Sequence, residues 1–583
     1  MPANCIWVDT ETKHRLDDVG RQKHYLWFGW ACFQRREKNQ EWGKPDWLRF
    51  TDIATFWEWV ESKTREKTRL YMFAHNWGFD FPVLHGFTEL PKIGFKLKSA
   101  VADAPPLILT YRGEKRTIKI IDTLNIWRTS LEQIGDSIGM EKLVMPKPDA
   151  GKKAWDEYGK RDTEIIRVAV IQWLAFLVDH DLGYFSPTLA SQSFNTYRHR
   201  FMNTPIFCDN NEKALSISRK AYVGGRTECF RLGEYTDDFY YVDVISMYPS
   251  VMRKNHYPNK LVSVYGRPDT KELLRWSKMF SMIGEVDLIT DKPIYPLIVD
   301  NKLTFPTGEF STCLAHPELM CAIERGHIKK VHKVACYERA ELFTDFIDTI
   351  HALRKTAKKE GNKTQAWLFK ILMNSLYGKF GQRGRRYETV GECEPNEIGV
   401  WLEIDADTNE VINKRKFGGI EQEWVAEDES RHSFPAIAAT VTSYARQLLW
   451  ESMEQAGLEN VFYCDTDSMV VNKAGFDNIK DMVGGSKIGE WELEKTFNHA
   501  IIYGPKDYVF GNIARTKGVR ANALWLTPNR IEQDRFVGLK GLLREGDLEH
   551  PIVHKIVKNL SREYTKANIY PDGSTTPLIV ETT

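Results

Sequence analysis

Through the first third of the chain, runs of β-branched and aromatic residues give way to stretches of helical period. "CIWVDTE" (5–11) and "RLYMFAHN" (69–76) read as strands, and "RDTEIIRVAVIQWLAFLVD" (161–179) reads as a helix, with apolar residues recurring every three to four positions. Strands alternating with helices over this region predict an α/β domain. "GYFSPT" (183–188), with its glycine and proline, marks a boundary. From 382 to 428, strand-like runs alternate with turn residues such as "DADTN", which predicts one or two inserted β-hairpins. The tail "DGSTTPLIVETT" (572–583) reads as loosely held, and the chain shows no internal repeat or low-complexity tract.

One strand-like run breaks this pattern. "FYCDTDSMVV" (462–471) sets Asp465 and Asp467 among residues that ask to be buried. A D-x-D alone fits an exposed turn as well as half a metal site. Upstream, "FYYVDVISMYPSVM" (239–252) ends an apolar strand pattern at Asp243, followed by Ser246, Tyr248 and Pro249. If Asp243 and Asp467 met at ~4 Å, their repulsion would be roughly 4 kcal/mol at an effective dielectric of about 20, so the pair would need a cation or a shared proton. Carboxylates together with nucleotide phosphates suit Mg²⁺. Two such ions can activate a 3′-hydroxyl and stabilise leaving pyrophosphate. A third stretch, "KILMNSLYGKFGQ" (370–382), spaces Lys370, Asn374 and Tyr377 at i, i+4 and i+7, on one face of a helix. There a lysine can meet a triphosphate and a tyrosine can stack on a base or ribose. The same spacing also fits an amphipathic helix with a solvated lysine and a core tyrosine. The glycines of "YGKFG" suit a backbone that passes close to something.

Composition narrows the class. A chain of 583 residues is too long for one core and implies two to four domains. At 42% hydrophobic and 27% charged it is ordinary globular material. It has no apolar run long enough to span a bilayer and no secretory pattern at "MPANCIWVDTETKHR", which points to a cytosolic protein (host cytoplasm if viral) with no membrane partner. The nine cysteines are scattered without a C-x-x-C, against a zinc ribbon or a disulfide framework. A net charge of +1 does not suggest a nucleic-acid partner, yet "RKTAKKEGNK" (354–363) and "GKFGQRGRR" (378–386) concentrate cations on either side of the helical segment.

"DVISMYPS", "KILMNSLYGKFG" and "YCDTDS", in that order, resemble the three polymerase motifs of family B DNA polymerases. "KAYVGGRTE" (220–228) resembles their Y-x-G-G motif, and "GPKDYVF" (504–510) their K-x-Y motif. Pattern, length and spacing are similar to the protein-primed branch found in small linear-genome phages and linear plasmids. The resemblance implies that Asp243 and Asp467 hold the catalytic ions, with Asp465 supporting and the Val244 carbonyl as a further ligand. It implies that Tyr248 underlies the sugar, Lys370 contacts the triphosphate, and Asn374 and Tyr377 line the base-pair pocket. Lys506 and Tyr508 would position the primer end, and Tyr222, Gly224 and Gly225 would contact the template. Met247 stands where leucine is more usual.

A second acidic set lies near the N-terminus. Asp9 and Glu11 in "WVDTET" are two apart on a strand and so share a face. "HNWGFDF" carries Asn76, Phe79 and Asp80, and "YGKRDTE" carries Tyr158 and Asp162 at i and i+4. Each fragment alone reads as a strand-end acid, a turn or an early helix acid. Together, in order, they resemble the three motifs of the family's 3′–5′ exonuclease. That implies Asp9, Glu11, Asp80 and Asp162 as metal ligands, with Tyr158 orienting the water and Asn76 and Phe79 holding an unpaired 3′ end. "IIDTLN" (120–125) resembles another element there, with Asp122, Thr123 and Leu124 near the frayed strand, and Lys147 in "MPKPD" is a candidate assisting lysine.

The fold implied is α/β and multidomain: a ribonuclease-H-like exonuclease (1–187) followed by a right-hand polymerase with two insertions. Palm would occupy 188–258 and 429–520, a first, priming-protein insertion 259–341, fingers 342–381, a second β-hairpin insertion 382–428 and thumb 521–583. The resemblance implies two Mg²⁺ ions per active site, with Mn²⁺ as a substitute. It also implies primer–template and single-stranded DNA, dNTPs, a terminal (priming) protein, processive strand-displacing synthesis and a monomer. A DNA-primed or primer-independent family B enzyme would share every catalytic motif and differ in the insertions. A D-x-D glycosyltransferase would need neither Lys370, Asn374 and Tyr377 nor the N-terminal acids. A dead scaffold would have lost some of these acids.

Overall fold

A computed structural model describes residues 1–37, 40–102, 106–404 and 410–581. The "DADTN" turn expected at 405–409 lies outside the described residues.

The N-terminal unit is built on a mixed sheet. Strand Asn4–Leu16 runs parallel to Arg69–Ala74, which runs parallel to Thr117–Asp122, and hairpin partner Gln22–Arg35 lies antiparallel on its other side. Ile6, Trp7 and Val8 are buried on both faces, as a covered, partly parallel sheet requires. The expected helix begins earlier than its periodicity suggested, at Lys152, and runs to Asp179. Its buried Ile165, Ile166, Ala169, Val170, Trp173, Leu174 and Leu177 follow the helical period. Tyr158 and Asp162, one turn apart, thereby face the first strand.

The second large sheet is antiparallel. Its order is Ile513–Thr516, Asp507–Phe510, Trp491–Gly504, Gly233–Val244, Ser468–Asn472, Val461–Asp465 and Thr227–Cys229. Helix Pro435–Ala456 buries residues on all sides, and its alanines at 436, 438, 439 and 445 allow close approach. Residues 257–340 contribute four strands of a five-stranded sheet, whose fifth strand is Ile579–Val580, with helix His316–Glu324 on it. Helices Thr344–Lys359 and Lys363–Asn374 form an antiparallel pair, turned at Gly361, which takes φ +72°. The inserted segment folds as four strands ordered Arg383–Glu392, Ile420–Glu429, Val411–Phe417 and Gly399–Ile404, with Phe417 packed on Phe87 of the N-terminal unit.

The span expected as a thumb, 521–583, divides in two. Strands Leu524–Thr527, Arg530–Phe536 and Ile552–Asn559 extend the N-terminal sheet through Gln22↔Val553 and Lys23↔Ile552, and Leu539, Leu542, Leu543 and Leu548 join that unit's core. The tail, expected to be loose, is instead laced along the antiparallel sheet and then onto the edge of the five-stranded one. Leu232 N–H donates to the Gly573 carbonyl at 2.7 Å, Thr575 Oγ1 to the Cys229 carbonyl at 2.9 Å, and Ile579 pairs with Thr307. Its backbone groups find partners there, which its polar composition concealed. All nine cysteines are free thiols. Among the described residues no helix is long and apolar enough to cross a membrane.

Candidate functional site

The antiparallel sheet brings the distant acids together by register. Asp243, next to last on its strand, pairs with Ser468 on one side and Glu492 on the other. Asp467 sits in the turn after Val461–Asp465, where Thr466 takes φ +64°, and its carbonyl accepts the Val244 N–H at 2.8 Å. Burial, then the charges of Asp467, Glu494 and Glu492, push the Asp243 carboxyl up to about 8, with Lys370 opposing. Asp467 is likewise raised, first by burial. Asp465 points elsewhere: Oδ1 accepts from Thr227 Oγ1 at 2.9 Å and Oδ2 pairs with Lys506 Nζ at 3.2 Å. Two carboxyls crowded until one resists ionising, with a lysine beside them, fit a bound cation and a phosphate chain. Glu492 and Glu494 escaped the sequence reading; "WELEK", two more acids in a strand-like run, was the available signal.

The helix carrying Lys370 and Asn374, both exposed, stops at Asn374; Tyr377 opens a separate short helix, Tyr377–Phe380. The single helical face expected for the three is therefore broken at Ser375. Tyr377 nevertheless reaches the site, its ring stacked on Tyr248 at 4.5 Å and 24°. Tyr248 and Met247 lie on helix Met247–Lys254, entered through Ser246 at φ +52°.

The loop at 222–226 is bolted to the turn. A Cβ on Gly225 would stand 2.7 Å from Thr466 Cγ2, and Thr466 N–H donates to the Arg226 carbonyl at 2.7 Å. The Tyr222 ring packs against Gly381, where a Cβ would come within 2.3 Å of it, so the last glycine of "YGKFG" is the one that close approach requires. The carbonyls of Val223 and Gly224 accept from Arg446 Nη1 at 2.8 and 2.9 Å. Arg446 is itself paired with Glu318, both side chains 2% exposed. Neither residue stood out in the sequence, because a long-range buried pair leaves no local pattern. Tyr508, expected at a primer end, is 5% exposed and stacked on Phe510 at 4.0 Å; its neighbour Lys506 is the exposed one.

The N-terminal acids form a second centre. Among the described residues, Asp9, Glu11 and Asp162 are the group that brings three ligand oxygens within 4.8 Å of one another. Burial raises all three, joined at Asp9 and Glu11 by repulsion from neighbouring carboxylates, which brings Glu11 to about 7; at Asp162, Lys142 opposes the rise. Asp162 Oδ1 is buried with no hydrogen-bond partner, which fits a cation ligand. Asp80 stands beside Asp9 outside that triplet, pushed up to about 7 chiefly by burial, with Oδ1 accepting from Thr10 N–H at 3.1 Å and Oγ1 at 2.6 Å. The lysine at this centre is Lys142, which pairs with Asp162 and donates to the Tyr158 hydroxyl at 2.9 Å. Lys147, the expected candidate, is exposed; both lie in one irregular stretch, and sequence distance could not choose between them.

Asn76 takes φ +81°, and Asp122 Oδ1 accepts its N–H and that of Leu124, each at 2.9 Å. Half-buried Phe79 lies 5.4 Å from His24 and 5.9 Å from Phe536. Thr123, expected against a frayed strand, is 1% exposed, its hydroxyl engaged with the Ala74 carbonyl and His75 Nδ1. It therefore holds His75 in place, and half-buried Leu124 is the accessible member of that pair.

Comparison with known proteins agrees with the resemblance carried by the motifs. Residues 151–416 match the family model of DNA polymerase type B, organellar and viral. The chain is 30% identical over 353 residues to the DNA-directed DNA polymerase of Enterobacteria phage PRD1, covering 59% of this chain and 57% of that protein. It is 24% identical over 405 residues to a probable DNA polymerase of Neurospora intermedia, covering 66% of this chain and 39% of that one. The chain thus spans about half the length of these curated relatives. Phi29 DNA polymerase, solved with primer-template DNA and incoming nucleotide, superposes with a TM-score of 0.70 over 96% of this chain and 100% of that one at 17% identity, a likeness of fold.

Proposed function

We propose that this chain, a relative of the organellar and viral type B DNA polymerases, copies a DNA template and removes misincorporated nucleotides from the 3′ end of its own product. The observation that carries the reading is the convergence of Asp243, Asp467 and the stacked Tyr248–Tyr377 pair, drawn from three stretches far apart in sequence. Divalent ions, Mg²⁺ with Mn²⁺ as substitute, supply activation of the attacking oxygen and charge stabilisation at both centres. Asp243 and Asp467 would hold them for synthesis; Asp9, Glu11 and Asp162, with Asp80, would hold them for editing.

During synthesis the primer 3′-hydroxyl attacks the nucleotide α-phosphate and pyrophosphate departs. Lys370 would meet the triphosphate's negative charge, and the stacked Tyr248–Tyr377 pair would underlie the sugar and disfavour a 2′-hydroxyl. Lys506 steadies Asp465 and with it the turn that carries Asp467. During editing, Lys142 orients Tyr158 and Asp162. Phe79 offers a ring to the unpaired terminal bases, a contact that serves any sequence.

Priming by a terminal protein, processivity and strand displacement belong to the same proposal, supported by two inserted sets of strands, one in 257–340 and one in 383–429. The reading takes 1–187 as the editing domain and 188–520 as palm and fingers with their insertions. Extension of a singly primed circular single strand with dNTPs and Mg²⁺ tests it. Products many times the circle's length are expected. Products that stop at one circle would leave polymerisation in place and overturn unaided displacement, as for a DNA-primed relative.

A further inference from the structure

Beside the editing acids lies a feature that the reaction itself does not require. The hairpin of strands Asn4–Leu16 and Gln22–Arg35 has a register shift between Glu11 and Thr12: Glu11 pairs with Phe28 and Thr12 with Leu26, so Trp27 has no partner. Such a bulge re-aims side chains, here turning Trp27 to the same face as Glu11 and Phe28. Trp27 meets Trp155 edge-on at 4.9 Å, and Trp155 meets Tyr158 at 6.1 Å. Beyond the start of helix Lys152–Asp179 the face continues with Tyr25, opposite Lys13 in the register. Rings therefore run from Tyr158, at the acids, outward along the hairpin to Tyr25, which meets His550 at 4.5 Å.

Two cations accompany them. Lys13 Nζ lies 4.6 Å from the Trp27 ring centre and the Arg15 guanidinium 5.1 Å from that of Tyr25. Both side chains are exposed, and neither stands within 4 Å of a carboxylate among the described residues. Partly exposed rings alternating with unpaired cations have the chemistry of a single-strand track: rings stack on bases of any sequence, and cations follow the phosphates.

We infer that Tyr25, Trp27 and Trp155, with Lys13 and Arg15, form a track for single-stranded DNA that adjoins the editing centre and holds nucleotides beyond those at the scissile bond. The inference rests on the editing reading above. An aromatic platform contributes about 1–3 kcal/mol per stacked base, or roughly 5- to 150-fold in affinity. A strand too short to reach the track gains nothing from it.

The test compares degradation of oligothymidylates of about 3 and about 12 nucleotides by the full chain, in steps that span the expected track. Trp27→Ala should raise KM for the longer strand at least roughly 5-fold, with a loss that shrinks as the strand shortens. A loss independent of length, or none on the longer strand, overturns the track. Because Trp27 also packs on Trp155, a second measurement avoids the core. In a full chain carrying Asp9→Asn and Glu11→Gln to prevent cleavage, Lys13→Gln with Arg15→Gln should flatten the salt dependence of oligothymidylate binding by about 0.7 in log–log slope per cation removed. An unchanged slope contradicts it. If the Asp9→Asn, Glu11→Gln chain still degrades DNA, the editing reading itself fails, whatever the track does.

Discussion

At Asp243 the local chemistry makes a prediction about the whole fold. Its carboxyl is raised to about 8 in the folded chain, against about 3.9 for an unstructured aspartate. The folded chain therefore binds a proton that the unfolded chain releases between those values. Its contribution to stability is full below about pH 4 and is lost as pH rises through about 8. In chelator, the urea midpoint should fall over that window, and Asp243→Asn should flatten part of the fall. A variant whose profile follows the parent's would contradict this placement of Asp243. Gly225 makes a second case. A methyl there would press on β-branched Thr466 in the turn between Asp465 and Asp467. Gly225→Ala should slow primer extension by roughly 10-fold or more, equivalent to about 1.4 kcal/mol of barrier, while single-strand degradation persists. Equal loss of both activities would point to general misfolding. Asp243, Asp465, Asp467, Asp9 and Glu11 were legible in the sequence because carboxylates in strand-like runs violate the burial pattern around them, and Asp80 and Asp162 were legible as motif members, whereas Glu492 and Glu494 were passed over. Lys142, Glu318 and Arg446 were not, since their roles come from partners 16 to 128 residues away that no local period encodes. Thr123 and Tyr508 were legible as motif members but not as buried, internally engaged side chains.

Among the elements, helix Pro435–Ala456 ties the centre around Asp243 and Asp467 to its surroundings. Arg446 on it reaches Glu318 on helix His316–Glu324 and the carbonyls of the loop that abuts Thr466. Removing one partner of so buried a pair leaves an uncompensated charge. Arg446→Met should cost about 3–5 kcal/mol in urea unfolding. Arg446→Met with Glu318→Leu should cost less than Arg446→Met alone, and a double variant worse than the single would argue against the pair. The C-terminal segment works at the same scale. Lys566 Nζ donates to the Thr227 carbonyl at 3.0 Å, and the Thr227 hydroxyl holds Asp465. Arg562 pairs with Asp507, next to Lys506, and lies 3.5 Å over Tyr503. Sequence period identified the strands and the long helices, because burial on one face or two leaves a pattern. It missed the break at Ser375, where the chain changes direction without a glycine or proline. It also missed the lacing of the tail, whose partners lie more than 250 residues upstream.

At the scale of the molecule, the N-terminal hairpin and the strands of 524–559 share one sheet. Strand Ile552–Asn559 pairs with the hairpin that carries the editing acids' strand, and Lys23–Asp547 and Arg21–Glu545 reinforce the join. The division into successive domains read from the sequence could not anticipate this, because the joining strands lie more than 500 residues apart. On the proposed reading, this join would give the growing duplex and the editing centre a common support. The central claim is that one chain holds two separate metal centres, one for synthesis and one for editing. The most direct measurement follows one end-labelled, mismatched primer–template with dNTPs and Mg²⁺ through three folded proteins: the parent, Asp467→Ala, and Asp9→Ala with Glu11→Ala. The parent should trim the mismatch and extend. Asp467→Ala should trim without extending, and the N-terminal double variant should leave the mismatch untrimmed while still extending a matched primer. Loss of both activities from either folded variant, or survival of the activity assigned to the altered centre, would contradict the account.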